Sequence, residues 1–195
     1  MSDLNRYLAD TSDFDSIAFF RHLTSSNRLA REFNFRFAVV SGLDGFEDAL
    51  HDALDMQALV AVDDTSEGGI DIVNTPHKKS FRTVYLFMRH TTEENWMEAR
   101  QKCFRIMREL FRQFASVLIR ERSRLRLENV ILGENISFNE IDRYFFTGGA
   151  CAFFQIEVDK YVSLVLNEEE WLQDPIPQRT SRLDVNMPKH SMGHS

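Results

Sequence analysis

Between residues 92 and 123 the apolar side chains Trp96, Ala99, Cys103, Met107, Leu110, Phe114 and Val117 or Leu118 recur close to every 3.6 residues. A stripe of this length requires one long helix laid against an apolar surface. The segment just before it, "FRTVYLFMRH", sets Val84, Leu86 and Met88 on one side of a strand and Phe81, Tyr85 and Phe87 on the other. A strand apolar on both faces is central in its sheet, or covered by a second layer or subunit. The four residues "TTEE" between them match a capping box, with Thr91 as N-cap and Glu94 reaching back.

The other segments are read around this strand-helix unit. "DFDSIAFFRHLTSSNRLAREF" spaces Phe14, Ile17, Ala18, Phe20 and Leu29 near the helical period, predicting a helix over 14–31 with a break at "TSSN". "FNFRFAVV" places Phe33, Phe35, Phe37 and Val39 on one side of a strand, with the beginning of a helix as the competing reading. "GFEDALHDALDM" predicts a short amphipathic helix carrying Phe46, Ala49, Leu50, Ala53 and Leu54, and "ALVAV" a short apolar strand. Residues 63–80, with two glycines and a proline, read as a turn and a connection in which "IDIV" pairs briefly. "ENISFNEIDRYFFTGGACAFFQIEVDKY" reads as two strands about a turn at Gly148 and Gly149. Its second strand points Ala152, Phe154, Ile156 and Val158 inward, and Phe153, Gln155, Glu157 and Asp159 outward. The expected fold is α+β: a mainly antiparallel sheet with one long helix packed on it. The expected organisation is an arm over 1–13, a single domain over 14–172 and an extended tail over 173–195.

Seventeen Phe against four Tyr and two Trp point to core or subunit interface, since Phe brings area without a polar handle. Cys103 and Cys151 both lie in apolar runs, the usage of buried thiols in a reducing compartment. The first residues lack the pattern of a signal peptide, and no apolar run reaches membrane-spanning length. A soluble protein made in a cytoplasm is expected.

The net charge of -7 argues against general nucleic-acid binding. It is unevenly spread. From Arg89 to Arg126 ten Lys or Arg face five Glu, so the rest of the chain is strongly acidic. Arg105, Arg108 and Arg112 stack on the face opposite the apolar stripe, and Arg120, Arg122, Arg124 and Arg126 follow near the helix end. One reading is a surface for an acidic partner subunit or, ranked lower, for DNA phosphate. The bland reading is a solvated helix face balanced by acids elsewhere in the fold.

Glu47, Asp48, His51, Asp52 and Asp55 stand at helical spacings that could chelate a metal, but one His among acids on a helix is ordinarily solvated. His190 and His194 fall in the expected tail, and "HKKS" at 77–80 has the composition of a plain turn. No phosphate-binding loop, nucleophile elbow, paired CxxC, HExxH or dinucleotide fingerprint occurs. No catalytic, cofactor-binding or metal residue is assigned, and no enzyme activity is expected.

The order of elements resembles the tail-terminator and neck proteins of tailed bacteriophages and the related cap proteins of contractile injection machines. The resemblance spans about residues 14–166. It rests on a helix of the "IAFFRHL" kind, the strand "ALVAV", the acidic loop "DDTSEGGIDIVNTPHKKS", the strand "FRTVYLFMRH", the helix "EENWMEARQKCFRIMRELFRQF" and the closing strands around "YFFTGGACAFFQIEV". It implies a structural virion subunit that assembles with itself as a ring, commonly a hexamer. The ring would sit where the tail tube meets the head or connector, stop tube polymerisation and contact neighbouring tube, sheath or connector proteins. DNA would pass through its lumen, and no membrane or cofactor is implied. The chain is longer than a typical terminator, and its first and last 30 residues have no counterpart there. Two further classes remain open. One is a small cytoplasmic α+β protein-binding or regulatory module. The other, a nucleic-acid-processing enzyme, is disfavoured because the densest acids, Glu168 to Glu170, form a solvated run.

Overall fold

A computed structural model describes residues 14–52, 56–65, 67–72, 76–90, 96–141 and 149–161. The fold is α+β, with the long helix packed on a seven-stranded sheet. Its elements are α1 (Ser16–Ser26), α2 (Arg28–Glu32), β1 (Phe35–Val40), α3 (Gly42–Asp52), β2 (Ala58–Asp63) and β3 (Glu67–Asp71). They continue with β4 (His77–Arg89), α4 (Trp96–Leu127), β5 (Ile131–Leu132), β6 (Ser137–Ile141) and β7 (Gly149–Tyr161).

Two strands of 13 residues, β4 and β7, form the antiparallel spine of the sheet, in register from His77 opposite Tyr161 to Arg89 opposite Gly149. Shorter strands flank them end to end. On the outer side of β4, β2 pairs with residues 84–88 and β3 with 77–81. On the outer side of β7, β6 pairs with 151–155 and β5 with 158–159. Only β1 runs parallel to its neighbour, adding to the free side of β2.

The period-2 pattern of the spine separates two cores. Val84, Leu86, Ala152, Phe154, Ile156 and Val158 point to the face covered by α1 and α4. There Phe154 meets Phe20 of α1 and Phe111 of α4, with ring centroids 5.5 and 5.2 Å apart. The opposite face presents Leu59, Ala61, Tyr85, Phe87 and Cys151 to Phe46 and Leu50 of α3. Tyr85 and Phe46 stack at 4.8 Å. Both cysteines are buried free thiols.

Local chemistry sets the boundaries. The expected break at "TSSN" is Asn27, which leaves the helical region (φ -80°, ψ 130°) and ends α1. Its Oδ1 then accepts from the Ala30 N–H at 2.9 Å and starts α2, as an N-cap asparagine does. Asn129, at φ 63°, stops α4. The Asn129 N–H donates to Arg126 O and the Val130 N–H to Leu125 O, while Val130 and Leu125 are both buried, the bonding of a Schellman cap.

Several expectations are corrected. Most of the described residues in 63–80 are strand: β3 pairs with the first residues of β4, which begins at His77, so the expected acidic connection contains β3 and the start of β4. Phe33 caps α2 rather than joining β1, because Asn34 takes φ 53° between them. The helix expected to end at 123 continues to Leu127. Trp96, assigned to the buried stripe, is 49% exposed, while Phe104 and Leu125 are buried on it. Thr91 and Glu94, Ala53 and Leu54, Gly148, the arm over 1–13 and the tail over 173–195 lie outside the described residues. Among the described residues no helix is long and apolar enough to cross a membrane.

Candidate functional site

Two surfaces stand out, one foreseen and one not. The foreseen surface is the outer side of α4. Arg105, Arg108, Arg112, Arg120, Arg122, Arg124 and Arg126 are all exposed. Three of them use their charge within the chain. Arg108 Nε donates to Glu140 Oε1 of β6 at 2.6 Å. Arg112 makes two hydrogen bonds to the Glu109 carboxylate, 2.8 and 2.6 Å long. Arg124 pairs with Glu121 at 2.6 Å. The hydrogen bonds from Arg112, then that from Gln113, hold the Glu109 carboxyl down at about 2. Arg105, Arg120, Arg122 and Arg126 form no ion pair among the described residues. Exposed ion pairs of this kind add little to stability, because water and salt screen them. They still decide which arginines keep charge for a partner.

The second surface lies on the α3 side of the sheet. Because α3 covers only part of that face, an open groove of about 550 Å³ remains beside its N-terminus. Phe81, Thr83 and Tyr85 of β4, Phe153 and Gln155 of β7, and Ile141 of β6 line it, with Leu43 on the rim. Gln155 Nε2 donates to Thr83 Oγ1 at 3.1 Å. At the groove edge Asp63 is only 7% exposed. Its Oδ1 accepts from the Gly42 N–H (3.0 Å), the Thr65 N–H (2.9 Å) and the Thr65 hydroxyl (2.6 Å). This puts a carboxylate at the α3 N-terminus, where the helix dipole favours it. Burial, and then the Asp63 charge beside it, raise the Tyr85 hydroxyl above its ordinary value.

Past the groove the same face becomes a ladder of charge. Lys79 pairs with Glu157 at 2.6 Å, and His77 lies 4.0 Å from Asp71. The hydrogen bond from Lys79 to Glu157 raises the Lys79 pKa. Burial and the neighbouring Glu157 raise the Asp159 carboxyl.

The one thiol below the groove, Cys151, is pushed up to about 12 by burial, so it remains a neutral packing group at ordinary pH. Among the described residues no three His, Cys, Asp or Glu side chains converge as metal ligands. The outward side of α3 carries Asp44, Glu47 and Asp48, which form no ion pair among the described residues. The groove was missed in the sequence because five separate segments build it. Its one sequence signal was the second apolar face of β4. No protein-family model matches the chain, and no curated protein matches it.

Proposed function

We propose that the chain is a structural subunit of the tail-terminator or neck type, which forms a ring where a phage tail joins the head or its connector. In this reading it works in the virion by shape, closing the tail tube and presenting a surface to the next ring. It has no catalytic role. The observation that carries the reading is the division of charge across the sheet. Arginines without an ion pair among the described residues stand on the outer side of α4, and acids likewise on the outer side of α3, with the sheet between them. A subunit with complementary surfaces on opposite sides is suited to head-to-tail contact with identical neighbours.

Light scattering of the purified chain, with negative-stain images of the same fraction, tests the proposal. Rings of about six subunits are expected, as in the proteins the sequence resembles. A strict monomer would sink self-assembly and favour the second reading, a small protein-binding module. The aromatic groove supports that alternative, because it offers an apolar side chain a seat beside hydrogen-bonding groups.

A further inference from the structure

The ring reading leaves open which surfaces meet, and the distribution of unpaired charge narrows the choice. Along α4, Ile119, Arg122 and Arg126 follow one another at i, i+3 and i+7, and so lie on one side of the helix. Ile119 is 69% exposed, an apolar group set in a basic surface. The arginines two and three turns before Ile119 on this side, Arg112 and Arg108, are occupied by Glu109 and Glu140. Among the described residues the free arginines on this side are Arg105 near its start and, two together at its C-terminal end beside the exposed isoleucine, Arg122 and Arg126.

The outer side of α3 has the opposite character and a similar size. Leu43 is 36% exposed on the groove rim. Asp44, Glu47 and Asp48 follow it within about two turns, a rise of roughly 6 Å from 44 to 48, equal to that from 122 to 126. Each surface thus carries one exposed aliphatic residue followed by unpaired charge, of opposite sign on the two helices.

We propose that the C-terminal stripe of α4, Ile119, Arg122 and Arg126, docks on Leu43, Asp44, Glu47 and Asp48 of α3 in a second copy of this chain. The inference rests on the ring reading and adds the contact itself. The sheet separates α3 from α4, so one neighbour cannot engage both helices of a subunit through a two-fold axis. Each copy therefore passes its α4 to one neighbour and receives the α4 of another, which yields a ring or a filament rather than a closed dimer.

Charge reversal tests the contact on the full chain in low salt. The first variant carries Arg122→Glu and Arg126→Glu, and the second Asp44→Lys and Asp48→Lys. All four residues are exposed, and thermal melts followed by circular dichroism establish that both variants fold. Each variant alone should assemble roughly tenfold or more weaker than the wild type, through like-charge juxtaposition. An equimolar mixture should regain the wild-type mass, because every acidic α4 then meets a basic α3 and every basic α4 an acidic α3. If the wild type assembles and both variants keep its mass, this contact is wrong while the ring reading survives through another interface. If the mixture stays dispersed, charge pairing between these helices is refuted. A monomeric wild type overturns the contact and self-assembly together.

Discussion

Gly149, the first residue of β7, offers the sharpest test of the packing between the two spine strands. A Cβ at this position would stand 2.7 Å from Phe87 Cζ and closer still to Cε2. Carbon atoms in contact prefer about 3.5–4.0 Å, so Gly149→Ala requires the ring to move by roughly 1 Å. Phe87 is 1% exposed and belongs to the core beneath α3, so it has little room to retreat. Overpacking of this kind costs about 1–3 kcal/mol, or a fall in Tm of roughly 4–8 °C at the midpoint of that range. Urea unfolding should show the cost as a lower midpoint at unchanged slope. Phe87→Leu removes the obstructing ring and costs about 1–2 kcal/mol on its own. In the double variant the clash disappears, so the combined loss should be at least about 1 kcal/mol smaller than the sum of the single losses. Strict additivity, or a Gly149→Ala protein within about 0.5 kcal/mol of wild type, would refute the close approach.

Phe154→Ala should destabilise the protein by about 3–5 kcal/mol in the same assay, because it empties the space between Phe20 and Phe111. Asn27→Ala should cost about 1 kcal/mol through loss of the α2 cap, and somewhat more because its Nδ2 also donates to Gln113 Oε1 at 2.8 Å. Burial raises the Cys151 thiol from 9.0 to about 12, so the folded state holds this proton more tightly than the unfolded chain. Its contribution is fully present below pH 9 and is lost as pH rises from 9 toward 12, by roughly 1 kcal/mol per unit. Unfolding free energies of the wild type and Cys151→Ala, measured from pH 8 to 11, should therefore converge as pH rises; parallel curves would contradict this.

Where one pattern governs one element, the sequence is legible. The alternation in β7 and the 3.6-residue stripe of α4 identify the inward side chains, because a spine covered on both faces and a helix laid along it leave little choice. Trp96 marks the limit of that logic. Its phase is right, yet periodicity reports only a direction, and at the start of α4 too little lies in that direction to bury an indole. Of β3 only the end was legible, Ile70 and Asp71 within "IDIV"; its first residues, "EGG", have the composition of a turn, and their pairing is imposed by the overhanging first residues of β4. β5 consists of two residues, too short for any period. The seven arginines could be enumerated from sequence, and the acids three residues before Arg112 and Arg124 are local, but the partner of Arg108 is Glu140, more than thirty residues away.

The end-to-end flanking strands have a consequence for how the molecule meets its own kind. The spine strands, long enough to template extended pairing with another chain, are lined along both sides. The edges left among the described residues are β1, β3, β5 and β6, none longer than six residues. Charged residues interrupt three of them: Arg36 in β1, Asp71 in β3 and Glu140 in β6. Short, charged edges are poor templates for strand addition. Growth through the backbone, which has no natural stopping point, is therefore discouraged. Any association falls to side chains, whose geometry can count copies and then close.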